Sequence, residues 1–154
     1  NMYNFLILGD GYLHKELKSL LLKENIKNVF LLGNIKDIYK YLYSSEIFLS
    51  TSFYEGHPIS ILEAMSIGLP IVASNVIGNC DTFRNGYSGF YYELGDIKSA
   101  CDYISLILND KDIYSLFSKE SQLIQRKLFS LKRMKKKYIN LYENFYWNII
   151  ENIF

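Results

Sequence analysis

Two carboxylates eight residues apart, Glu55 and Glu63, bracket a turn whose residue types suit the grip of a hydroxyl-rich anion. The stretch reads Ser52-Phe53-Tyr54-Glu55-Gly56-His57-Pro58-Ile59-Ser60-Ile61-Leu62-Glu63-Ala64-Met65-Ser66-Ile67-Gly68-Leu69-Pro70-Ile71-Val72-Ala73-Ser74. Gly56 lets a backbone come close to a ligand, and Pro58 suits the first position of a helix. The amides of His57, Ile59 and Ser60 would then lack intrahelical acceptors and point at an anion such as a pyrophosphate. A carboxylate just before the helix can accept hydrogen bonds from sugar hydroxyls. One in its second turn can accept both hydroxyls of a ribose, as acidic residues do in dinucleotide folds. A purely structural reading competes for Glu63, because Ser60 and Glu63 fit the S-x-x-E capping box. Pro58 argues against it by drawing the helix start back towards His57.

The elements that must position these groups are legible as short apolar runs punctuated by glycine. Tyr3 to Leu8 reads as a buried strand ending in Gly9-Asp10-Gly11, and Leu13, Leu17, Leu20 and Leu21 recur at helical spacing to about Lys23. Val29 to Leu32 is a second strand closed by Gly33, Ile38 to Leu42 suggests a short helix, and Ile47 to Ser50 is a third strand. A helix over 58–67 stops at Gly68. Strands over 70–73 and 89–92 follow, then helices over 96–108, 111–127 and 130–149. Buried strands alternating with helices predict an α/β fold, a doubly wound, Rossmann-like parallel sheet with a helical carboxy-terminal third. The turn at Glu55 sits at the carboxyl end of a strand, where open sheets of this kind bind ligands. Leu128, Leu131, Met134, Tyr138, Leu141 and Phe145 form an amphipathic stripe expected to pack on the sheet or on a partner domain.

The chain has 154 residues, 49% hydrophobic and 21% charged, enough for one compact domain. No run approaches the length of a membrane span, and the start lacks the features of a secretion signal. Cys80 and Cys101 have no metal-ligand spacing and read as reduced thiols in a cytosolic setting. The net charge of +1 hides a basic run, Arg126, Lys127, Lys132, Arg133, Lys135, Lys136 and Lys137. It reads either as a solvated helix face or as a peripheral contact with anionic lipid on the inner side of a cell membrane. No nucleic-acid recognition motif accompanies it. His57 reads as packing or hydrogen-bonding at its turn, His14 as solvated surface, and Asp81 either as solvated surface or as ordering its loop.

The stretch from Glu55 resembles the E-x7-E signature of the family 4 glycosyltransferases, which have the two-domain GT-B fold. The elements E-G-x-P, L-E-A-M, G-L-P and V-A-S stand in order. Leu6-Ile7-Leu8-Gly9-Asp10-Gly11, Val29-Phe30-Leu31-Leu32-Gly33 and Gly86-Tyr87-Ser88-Gly89-Phe90-Tyr91-Tyr92 are similar to further family segments, so the likeness covers nearly the whole chain. The resemblance implies a carboxy-terminal donor-binding domain over residues 1–154. Glu55 would hold the donor sugar at the reaction centre, the amides of Gly56, His57, Ile59 and Ser60 the sugar and diphosphate, and Glu63 the ribose. Leu32, Gly33 and Asn34 would border the nucleobase, and Gly9 and Gly11 the cleft floor. Transfer would proceed with retention and without a metal or other cofactor, the leaving charge being met by backbone dipoles and basic side chains.

The same resemblance implies an amino-terminal acceptor domain, and a strand and helix before Tyr3 bearing the Arg and Lys that grip the diphosphate. No residue of this chain matches them. Either the chain is truncated at its start or its sheet closes differently, and the isolated piece is expected to bind donor weakly, if at all, and not to catalyse transfer. The function expected is transfer of a sugar from a nucleoside-diphosphate sugar to a polysaccharide or glycolipid acceptor. A non-catalytic nucleotide-binding or scaffold domain of the same fold is the alternative. A receiver-type module is disfavoured, because only Asp10 offers an acid at an early strand end.

Overall fold

The computed structural model describes residues 3–151, with side chains described through residue 143. The chain divides into two compact units, Asn1–Tyr41 and Leu42–Phe154. In the first, strand β1 (Phe5–Leu8), helix α1 (His14–Lys23) and strand β2 (Val29–Gly33) form a right-sized β-α-β repeat, and helix α2 (Tyr39–Leu42) follows. The two strands are parallel, pairing Phe5 with Val29 and Ile7 with Leu31. The register slips between Ile7 and Leu8, so that Leu8 faces Gly33. The expectation of a buried first strand needs correction. Leu6 and Ile7 are 38% and 42% exposed, and α1 buries none of its residues. Two strands and one ten-residue helix are too little chain to close a core among themselves.

The second unit holds strand β3 (Phe48–Ser50), helix α3 (Ile59–Ser66), strand β4 (Ile71–Ser74), helix α4 (Ile77–Cys80) and strand β5 (Gly89–Tyr92). Helices α5 (Ile97–Asn109) and α6 (Lys111–Ile124), a π-helical turn (Gln125–Phe129) and helix α7 (Leu131–Glu151) complete it. The sheet order is β3-β4-β5, all parallel. Every residue of the central strand β4 is buried, as its uninterrupted apolar run requires of a sheet covered on both faces. Ile61, Leu62, Ala64 and Met65 of α3 recur at helical spacing and are buried, and Ile107 of α5 and Phe117 of α6 join them in the core. The class is thus α/β and Rossmann-like with a helical carboxy-terminal part, as the sequence predicts.

Aspartates, Asp96 and Asp110, cap helices α5 and α6. Asp110 accepts hydrogen bonds from the amides of Asp112 and Ile113, both at 3.0 Å, satisfying two donors at the start of α6. Asp110→Ala is expected to cost about 1 kcal/mol, read as a lower urea midpoint at unchanged slope. An unchanged midpoint would mean that α6 starts equally well without its cap.

The sequence predicts one helix over 111–127. The structure instead ends α6 at Ile124 and passes through the π-helical turn. Ser130, with extended backbone (φ −64°, ψ 147°), then breaks the helical path before α7. The stripe of Leu128, Leu131, Met134, Tyr138 and Leu141 does not pack on the sheet, because that break keeps it from continuing the buried face of α6. All five are exposed, by 47% to 62%. Phe145 lies outside the residues with described side chains. Arg126, Lys127, Lys132, Arg133, Lys135, Lys136 and Lys137 are exposed, as a solvated face would be. Among the described residues no helix is long and apolar enough to cross a membrane. Both cysteines are free and exposed.

Candidate functional site

The sequence-predicted residues fall into two groups, one on each unit. On the first unit, Gly9 and Gly11 follow β1, while Leu32 and Gly33 end β2. The Gly9 amide donates to the Gly33 carbonyl at 2.8 Å, so the carboxyl ends of the two strands are tied together. Both glycines have positive φ, 129° and 69°, which side-chain-bearing residues rarely adopt. The Gly11 amide is held by Asp10 Oδ1 at 2.8 Å. A shallow cavity of about 210 Å³ opens here, lined by Gly9, Asp10, Gly11, His14 and Leu31 among others. His14, expected on solvated surface, is instead half-buried, with Nδ1 3.5 Å from Asp10 Oδ1. Leu32 is half-buried and Asn34 exposed, and neither lines this cavity.

On the second unit, Glu55, Gly56 and His57 form the turn between β3 and α3. Pro58 takes the N-cap position of α3, not its first helical position, and its carbonyl receives the amides of Ile61 and Leu62. Ile59 and Ser60 therefore occupy the first two helical positions. Among the described residues no acceptor meets the amides of Gly56, His57, Ile59 or Ser60. The capping-box reading of Glu63 loses its basis, since Ser60 lies inside the helix and no side chain caps α3. Glu63 is half-buried one turn further on, and its carbonyl accepts the Ser66 hydroxyl at 2.6 Å. The His57 ring lies against Phe129 of the π-helical turn, 5.7 Å between centroids, consistent with packing at its turn. Asp81 is exposed, in line with its solvated-surface reading.

Sequence reasoning missed the residues that hold Glu55. The Ser52 hydroxyl donates to Glu55 Oε1 at 2.8 Å, and the Ser52 carbonyl accepts the Ser74 hydroxyl at 2.6 Å. Ser74 and Asn79 are fully buried, and the Asn79 amide donates to both the carbonyl (3.0 Å) and the hydroxyl (3.2 Å) of Ser74. Gly78, buried in α4, presses on the backbone of Glu55 so closely that a Cβ there would lie 2.8 Å from the Cβ of Glu55. The Tyr92 hydroxyl, whose pKa burial raises above the usual phenol value, donates to the Ser50 carbonyl at 3.0 Å. Its neighbour Tyr91 donates to the Phe83 carbonyl at 2.6 Å, and burial raises its phenol far above the usual range. A single sequence offers no periodicity linking such positions.

A turn at the carboxyl end of a parallel strand, with open amides and a fixed carboxylate, can hold an anionic, hydroxylated ligand. Comparison with known proteins agrees with that chemistry. Residues 1–126 match the family described as glycosyl transferases group 1. The chain is 39% identical over 117 residues to the UDP-Gal:alpha-D-GlcNAc-diphosphoundecaprenol alpha-1,3-galactosyltransferase of Escherichia coli, covering 75% of this chain and 30% of that protein. It is 27% identical over 146 residues to the poly(ribitol-phosphate) alpha-N-acetylglucosaminyltransferase of Staphylococcus aureus, covering 94% of this chain and 30% of that one. The crystal structure of TarM superposes with a TM-score of 0.81 at 27% identity, covering 90% of this chain and 28% of TarM. Anabaena HepE in complex with UDP shares the fold, with a TM-score of 0.84 at 22% identity over 92% of this chain and 41% of that one. The chain thus spans about 30% of the length of these two curated relatives. With more than half of its length matched, the chain belongs to the group 1 glycosyl transferases.

Proposed function

We propose that this chain is the donor-binding, carboxy-terminal half of a retaining glycosyltransferase of family 4, with the GT-B architecture. It takes a nucleoside-diphosphate sugar and serves transfer to a polysaccharide or glycolipid acceptor. The observation that carries the reading is the turn before α3, where a half-buried Glu55, held by Ser52, stands beside four open amides. In this reading Glu55 orients the donor sugar. Gly56, His57, Ile59 and Ser60 receive the sugar and diphosphate, and Glu63 holds the ribose. Gly9, Gly11, Leu32, Gly33 and Asn34 are assigned to the nucleotide by family resemblance. The relative from Escherichia coli is named for a UDP-sugar donor and a diphosphoundecaprenol acceptor, which supports a uridine nucleotide and a lipid-linked acceptor.

Transfer without a metal remains part of the proposal, with amide dipoles meeting the charge that develops on the leaving diphosphate. An acceptor-binding domain completes the enzyme. The exposed cations between Arg126 and Lys137 support a peripheral seat on anionic lipid near such an acceptor.

Ligand-observed NMR with UDP, GDP and their sugars tests the reading, since it registers weak complexes. Wild type binds at least one of them. Glu63→Ala weakens that binding roughly 10- to 100-fold, the value of one or two hydrogen bonds to a charged group. A well-folded, full-length protein that ignores all of these ligands overturns the proposal. Binding that survives Glu63→Ala unchanged removes Glu63 from the ribose.

A further inference from the structure

We infer that Ser52 is a positioning residue that fixes the Glu55 carboxylate for the donor sugar. The inference rests on the reading of Glu55 given above and deepens it by assigning a role to each carboxylate oxygen. Among the described residues no salt bridge involves Glu55. Its described partner is the Ser52 hydroxyl, 2.8 Å from Oε1.

A serine hydroxyl has one proton, and the bonding order here uses each proton once. The Asn79 side-chain amide donates to Ser74 Oγ, Ser74 Oγ–H to the Ser52 carbonyl, and Ser52 Oγ–H to Glu55 Oε1. The chain of donors begins at Ser74 and Asn79, both fully buried, and ends at a half-buried carboxylate. The backbone and the hydroxyl of Ser52 are therefore both held from the core. With one oxygen engaged by Ser52, the other stands free of that bond to meet a sugar hydroxyl, and the hydrogen bond favours one orientation of the carboxylate. Ordering it in advance removes an entropic cost that ligand binding would otherwise carry.

A residue acting through Glu55 affects the sugar and not the nucleotide. The test uses the nucleotide and nucleotide sugar that wild type binds best among UDP, GDP, UDP-galactose and GDP-mannose. Ser52→Ala is expected to weaken the nucleotide sugar about tenfold while leaving the bare nucleotide within roughly twofold. Ser52→Thr, which retains the hydroxyl, restores the difference. Ser52→Cys keeps the volume but donates weakly, and the same split in it guards against a folding defect in Ser52→Ala. In a Glu55→Gln background the effect of Ser52→Ala shrinks, because both changes remove one interaction. Equal weakening of both ligands, no weakening of either, or failure of threonine to rescue overturns the role of Ser52 and leaves the donor site standing. Failure of wild type to bind any of the four ligands removes the donor site itself, and the inference with it.

Discussion

Gly78→Ala is expected to abolish sugar-dependent binding while the sheet stays folded. A Cβ at Gly78 would clash with the Glu55 carbonyl oxygen and lie 2.5 Å from its carbonyl carbon, well inside van der Waals contact, and backbone atoms cannot swing aside. The neighbouring Asn79 is anchored to Ser74, so α4 cannot retreat without breaking buried hydrogen bonds. The turn carrying Glu55 is the part that yields. Overpacking of this kind costs about 2 kcal/mol in stability. The larger effect is on function, since a misplacement of about 1 Å costs on the order of 100-fold in a positioned reaction. Ligand titration of the variant, with a thermal melt beside it, reads both quantities. Ile77→Ala is the control, because Ile77 is 78% exposed and its truncation should stay within about 0.5 kcal/mol of wild type. Wild-type affinity for the nucleotide sugar in Gly78→Ala would show that α4 does not brace the turn.

Gly89→Ala is expected to be the most destabilising single change in the second unit. Gly89 pairs directly with Ile71 at the start of the β4–β5 ladder. A Cβ there would overlap the Ile71 carbonyl oxygen and come within 2.9 Å of the Ile71 Cβ. Both residues are buried, and the adjoining Ser88 carbonyl receives both the Ile71 amide (3.1 Å) and the Ser121 hydroxyl (3.2 Å). Separating the strands would therefore disturb the ladder and the contact with α6 together. The cost should reach about 3 kcal/mol, which for a chain of this length lowers the melting temperature by roughly 10 °C. Circular dichroism melts provide the measurement, and a shift under about 2 °C would contradict the proposed clash.

Much of this architecture is legible in the sequence, because apolar runs ended by glycine specify buried strands and their turns. β4 and α3 are the clearest cases, with Gly68 at the expected stop. The turn before α3 is legible for the same reason, since Gly56, Pro58 and the flanking acids act locally. Four features were not. The four-residue helix α4 is too short to impose a period. The break at Ser130 depends on one residue's backbone and leaves the hydrophobic spacing on either side intact. The support for Glu55 links Ser52 to Ser74, 22 positions away, through hydrogen bonds that leave no pattern in the chain. The exposure of Leu6 and Ile7 was also invisible, because apolar composition records what a strand can bury, not what lies over it.

Helix α3 is held at both ends. Pro58 fixes where it begins, and Gly68, at φ +88° with Ser118 and Gln122 of α6 against it, fixes where it stops. Its eight residues make a spacer about 12 Å long. Along this spacer, homologous sequences can exchange side chains but not change residue count. An inserted or deleted residue would rotate the apolar face by about 100° and carry Ile61 and Met65 out of the core. Insertions and deletions among relatives should accordingly cluster in the exposed connections, such as residues 84–87 and 93–96, and spare the stretch from Glu55 to Gly68.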